Sequence, residues 1–149
     1  MATGSDRHKR FSLALVTWLR TNATLTGLVT GSTNIFAAPD ISVLPAKCVG
    51  VMIPNILPMF DDVDVGPYFA TVELILRGTS ISDVYSMIGC IEDLSAKNET
   101  TGAWAKFTGV SLQTDSIKFA GVSTEAKVIS GVNALEMRIQ LDIVWRETS

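Results

Sequence analysis

Histidine is almost missing from this sequence: His8, near the start of the chain, is the only one. That excludes histidine-based catalytic triads and histidine metal clusters. Cysteine is nearly as scarce. Cys48 and Cys90 both sit in apolar contexts without metal-ligand spacing, and they read as buried free thiols of a reducing compartment. Charge is low too: Asp, Glu, Lys and Arg make up 18% of the chain, and a net charge of −3 offers nucleic acid no overall attraction. No apolar run reaches the ~20 residues that a membrane helix takes. Arg7-His8-Lys9-Arg10 followed by Phe11 to Leu19 has the outline of a signal peptide. However, Arg20, Thr21 and Asn22 end that run and no small-residue cleavage site follows promptly, so an amphipathic or buried helix is expected. Asn22-Ala23-Thr24 and Asn98-Glu99-Thr100 match the glycosylation pattern, and without a secretory signal they are chance matches.

The remaining chemistry is thin. Gly27, Gly31 and Gly50 form no phosphate-binding pattern with Lys-Ser or Lys-Thr. Asp62-Val63-Asp64 has the form of a carboxylate pair that some transferases use for a divalent metal. It lies in a proline-rich stretch with no nucleotide-binding unit nearby, so a solvated acidic loop is expected. Glu92 and Asp93 are adjacent on a helical stretch, point in different directions and make a poor acid/base pair. The expectation is therefore no enzyme, no cofactor and no metal.

What the chain has in quantity is apolar surface, at 47% of 149 residues. That length suits one domain with a real core. Many apolar residues with few charges suggest a subunit that buries surface in an assembly. The strongest single pattern runs from Asn133 to Trp145. Leu135, Met137, Ile139, Leu141, Ile143 and Trp145 fall on one face, and Glu136, Arg138, Gln140 and Asp142 on the other. Sustained period-two alternation predicts a strand with one buried and one wet face. At ~3.3 Å per residue it would run roughly 40 Å, so it either bends around a core or reaches out of its own domain.

Residues 1–10 read as a flexible tail and 11–149 as one domain. Phe11, Ala14, Leu15, Trp18 and Leu19 recur at helical spacing, which predicts a helix over Phe11 to Leu19. Asn22 can cap a short second helix, Ala23 to Val29, with Leu25, Leu28 and Val29 inward. Asn34 to Pro45 reads as loop and Cys48 to Ile53 as a short central strand. Pro54, Pro58 and Pro67 bracket a long connection, and Phe69 to Arg77 is a second strand. Ser80 opens the clearest helix, with Ser80 and Asp83 at capping-box spacing and a stripe of Ile81, Val84, Tyr85, Ile88, Ile91 and Leu94. Lys106 to Ile117 and Val122 to Ile129 read as further strands, with a turn at Ser130-Gly131. The fold class expected is α+β: a mainly antiparallel sheet of ~4–5 strands with two principal helices packed on one face.

Met59, Phe60 and Trp104 are large apolar side chains outside the predicted elements. Each either tucks back as a loop anchor or contacts a neighbouring subunit. With Asp61, Asp62 and Asp64 of the same loop, and Glu136, Arg138 and Gln140 on the wet face of the long strand, they are the candidate interface.

The order of motifs resembles a known family. A helix pair ends in Leu28-Val29-Thr30-Gly31, Asn34-Ile35-Phe36-Ala37-Ala38-Pro39 follows, and a strand, a long loop and a second strand lead into the capped helix Ser80 to Leu94. The chain closes on the alternating strand that ends Ile143-Val144-Trp145-Arg146. This resembles the tail terminator (tail completion) proteins of long-tailed bacteriophages and phage-like particles, from about Phe11 to Arg146. The segment Asn98 to Ile129 is longer than the family pattern. The resemblance implies a virion protein, assembled in the host cytoplasm, that forms a ring, usually a hexamer, at the head-proximal end of the tail. Its partners would be its own copies, the tail tube protein and the head-tail connector or neck protein. DNA would meet it only by passing through the lumen, without sequence-specific binding, and no membrane is involved. A head-completion or neck protein is the nearest alternative, and a small-ligand binding domain, with a pocket between sheet and helices, is a third.

Overall fold

The long alternating strand is the centre of the sheet. The structure is a computed structural model, and it describes residues 4–40, 43–58, 67–96, 100, 112–122, 126–129, 131 and 133–147. Its elements in chain order are α1 (Gly4–Arg20), α2 (Ala23–Leu28), β1 (Ile35–Ala37), β2 (Cys48–Pro58), β3 (Tyr68–Gly78), α3 (Ile81–Ser95), β4 (Leu112–Val122), β5 (Lys127–Ile129) and β6 (Ala134–Glu147). Short 3-10 turns at Ser32–Asn34 and Ala38–Asp40 flank β1. The six-stranded sheet runs β1-β2-β3-β6-β4, with β5 also paired to β6. All pairings are antiparallel except β1 with β2, which is parallel. The α+β class expected from the sequence is the one observed.

The length of β6 is accounted for by its partners. β3 pairs along Leu135 to Trp145, β4 along Ile139 to Glu147, and β5 along Ala134 to Glu136. A strand too long for one neighbour is shared among three. Register shifts in β4 between Thr114 and Ser116, and between Phe119 and Gly121, bend that strand along it, as bulges do. On the inner face Met137, Ile139, Leu141, Ile143 and Trp145 meet Leu76, Leu74, Val72, Ala70 and Tyr68 of β3, all buried. Helix α1 lies over β1 and β2, and α3 lies over β3, β6 and β4, so one apolar core forms beneath both principal helices. Each fully buried Leu, Ile or Val there contributes about 1.5–3 kcal/mol relative to exposure.

Several local readings need correction. The first helix starts at Gly4, seven positions before Phe11. Its early turns are held from outside, for Arg7 stacks on the Tyr68 ring at 4.4 Å and Arg10 pairs with Glu147. Residues 35–37, read as loop, form β1, because their backbone finds a partner in Val49 to Val51. Strand β2 runs on through Pro54 to Pro58. The register slips between Met52 and Asn55, so the proline, which has no N–H to donate, sits where the ladder is already interrupted. The stripe of α3 is Val84, Met87, Ile88, Cys90 and Ile91. Ile81 and Tyr85 are exposed, Tyr85 by 60%.

The caps are as expected. Leu25 N donates to Asn22 Oδ1 at 2.9 Å, and Asp83 N donates to Ser80 Oγ at 3.1 Å. Asn22→Ala should therefore lower stability by about 1 kcal/mol and Asn22→Ser by much less. Urea midpoints of the two variants check this; equal losses would mean that the side-chain oxygen is not the cap.

Candidate subunit interface

The two faces of the sheet differ in what they leave available. On the face away from the helices, β3 and β6 place Arg77 opposite Glu136, Ile75 opposite Arg138 and Glu73 opposite Gln140. Arg77 Nε donates to Glu136 Oε1 at 2.9 Å, Arg138 Nε to Glu136 Oε2 at 3.2 Å, and Arg138 Nη1 to Glu73 Oε1 at 2.7 Å. Both carboxylate oxygens of Glu136 are thus occupied, and the residue is only 5% exposed. Glu136 was expected on a wet face; here it is buried by the arginines that neutralise it. Arg77 also donates to the Leu44 carbonyl at 3.2 Å, which ties the segment before β2 to this face. Where a Cβ on Gly50 would stand 3.2 Å from Ala38 Cβ, Ile75 is buried as well. One end of the outer face is therefore covered, while the remainder is open.

Of the nine candidate residues, three are described. Glu136 and Arg138 share this network. The hydrogen bond that Arg138 donates to Glu73 makes it more basic than an ordinary arginine, with burial opposing and Glu136 assisting. Gln140 is exposed, donates to Asp142 at 3.1 Å and lines a shallow depression with Glu73, Arg138 and Gly121. Of the three, Arg138 and Gln140 are exposed, the Arg138 side chain by 48%. Met59, Phe60, Asp61, Asp62, Asp64 and Trp104 lie outside the described residues.

Cys48 shares the covered end of this face, opposite Arg77. Burial pushes its thiol up to about 11, with Arg77 pulling the other way and Glu136 adding to the rise. The stability tied to the protonated thiol is complete below its ordinary value of 9.0 and is lost as pH rises through about 11. In a Cys90→Ser variant, the native protein should not react with a disulfide reagent at about pH 8, since the thiolate is the reactive form. A fast native reaction would place Cys48 at the surface.

Sequence reading missed the other feature, an open groove of about 660 Å³ between α1 and the β1–β2 edge. Leu13, Val16, Phe36, Val51 and Ile53 line it, together with His8, Lys9 and Arg20. Leu13 lies off the buried stripe of α1 and is 55% exposed, which is the one signal the sequence carried. Arg20 donates twice to the Ile35 carbonyl, at 3.0 and 2.7 Å, and so holds a cation at the end of the groove.

Chemically, these surfaces offer shape, apolar contact and paired charge. Among the described residues no group of three or more His, Cys, Asp or Glu side chains is placed to hold a metal ion. No described helix is long and apolar enough to cross a membrane.

The geometry defines an α+β protein whose sheet is covered by helices on one face and carries cross-strand ion pairs on the other. That fold is similar to a chain of the solved virion of a native gene transfer agent (GTA) particle, with a TM-score of 0.61 and 12% identity, over 91% of this chain and 93% of that one. At this identity the likeness is one of fold. No family model and no curated protein matches the sequence.

Proposed function

We propose that this chain is a structural virion protein that forms a ring, with six subunits as the expected number, at the head-proximal end of a tail. The ring caps the tail tube, ends its polymerisation and offers the joining surface to the head connector. The observation that carries this reading is the likeness of fold, over nearly the full length of both chains, to a chain of a phage-like virion. The motif order from Phe11 to Arg146 supports it. So do the exposed apolar side chains Leu13, Leu57, Tyr85 and Val128, which a ring would cover. The work is done by shape and contact, with no cofactor or catalytic step, and DNA only passes through the lumen.

The test is to assemble particles without this chain and view them by negative-stain microscopy. Tails of uncontrolled length that fail to join heads are expected. Tails of normal length that stay unattached would replace this reading with that of a head-completion or neck protein. A chain that stays monomeric at every concentration in size-exclusion with light scattering would turn attention to a small-ligand domain instead.

A further inference from the structure

We propose that two helix flanks join neighbouring copies of this chain: the flank of α1 with Lys9, Leu13 and Arg20 packs on the flank of α3 with Tyr85, Gly89 and Glu92 of the next copy. This contact rests on the ring reading and would build the ring. The two helices stand at opposite sides of the subunit, α1 over β1 and β2, α3 over β3, β6 and β4. Their charges are opposite. Helix α1 has four basic residues and one acid, while α3 has Asp83, Glu92 and Asp93 and no base. Lys9, Leu13 and Arg20 are exposed on the β1 side of α1, and no carboxylate is among the described residues around them in the groove. On α3, Met87 and Cys90 are buried and mark a covered flank. Tyr85, Gly89 and Glu92 fall on the other flank, where Tyr85 and Glu92 are exposed.

Gly89 is the least expected of these residues. A glycine inside a helix destabilises it relative to alanine. A Cβ on Gly89 would meet no described atom within 4 Å, so the subunit's own packing does not call for it. It leaves a notch beside Tyr85 that can seat the exposed Leu13 of a neighbour. Lys9, Leu13 and Arg20 have the same spacing as Ile81, Tyr85 and Glu92, so each set forms one stripe. The direction of pairing follows from the fold. Arg7 and Arg10 hold the start of α1 at the Tyr68 and Glu147 end of the sheet. Arg20 holds its other end at Ile35, whose partner Val49 pairs with Leu76. Helix α3 begins directly after Gly78, at the Leu76 end, and runs back over β3, β6 and β4, antiparallel to α1. A neighbour in a ring of six is turned by only a sixth of a circle, which keeps that sense. Antiparallel stripes bring Lys9 to Glu92, Leu13 to Gly89 and Arg20 to Ile81. Opposite charges fix such a register, and two different patches make a head-to-tail contact, the type that closes into rings.

The experiment uses full-length variants, followed by size-exclusion with light scattering and by urea melts. Lys9→Glu and Glu92→Lys, both at exposed positions, should each weaken association by about tenfold or more. Both changes in one chain restore opposite charges at every contact, so most of the loss should be recovered. Gly89→Met fills the notch. It should weaken association while the subunit's urea midpoint stays equal or rises, because methionine favours a helix. If wild type forms rings and all three single variants do so equally well, the helix contact is overturned and the ring reading stands. A loss with Lys9→Glu and none with Glu92→Lys also overturns it, since something other than α3 then meets α1. So does a charge exchange that recovers nothing although circular dichroism shows it folded. A wild type that never associates sinks the ring reading and this contact together.

Discussion

Leu141→Asp is expected to abolish the fold, while Gln140→Asp, one position away, leaves it standing. Leu141 is fully buried at the centre of the sheet, paired with Val72 on one side and Phe119 on the other. A carboxylate there would sit among the apolar side chains of the core, and burying it unpaired costs several kcal/mol. That is comparable with the ~5–15 kcal/mol that holds a domain together. Gln140 is exposed and stands opposite Glu73, with Asp142 as its hydrogen-bond partner. A third carboxylate in that place adds screened repulsion of a few tenths of a kcal/mol. Far-ultraviolet circular dichroism and urea melts of the two purified variants make the comparison. Similar midpoints for both would invert the face assignment of β6.

The second large effect is expected at Trp145. Its ring stacks on Phe11 at a centroid distance of 4.7 Å and an interplanar angle of 8°, and leans on Tyr68 at 4.9 Å. It is fully buried and joins α1 to the end of the sheet. Trp145→Ala removes the middle of that stack and should cost about 3–5 kcal/mol. Trp145→Phe should cost less than half as much. The indole N–H is buried with no hydrogen-bond partner among the described residues, so phenylalanine loses volume but none of the polar contacts described. Urea midpoints at an unchanged m-value separate the two variants. Equal losses would show that the N–H matters. Because Arg7 and Arg10 hold the same end through Tyr68 and Glu147, the alanine variant should also loosen the first turns of α1. Faster amide exchange there, with β3 unchanged, is the expected signature.

What the sequence determined by itself is whatever repeats at short range. The alternation from Leu135 to Trp145 assigned β6 and its buried face, because neighbouring side chains in a strand must point to opposite sides. The caps Asn22 and Ser80 were legible because a cap closes on the backbone three residues ahead. The tertiary structure decided everything that depends on a distant partner. Three residues are too few to show a period, so β1 exists only through Val49 to Val51. Glu136 is polar and yet buried, because Arg77 reaches it from 59 positions away in the chain. Tyr85 is aromatic and yet exposed, because the sheet lies under Val84 and Met87 and not under it. The groove has the same origin. His8, Lys9 and Leu13 come from α1, Phe36 from β1, and Val51 and Ile53 from β2. Only the packing of a helix against a sheet edge turns those separate stretches into one surface.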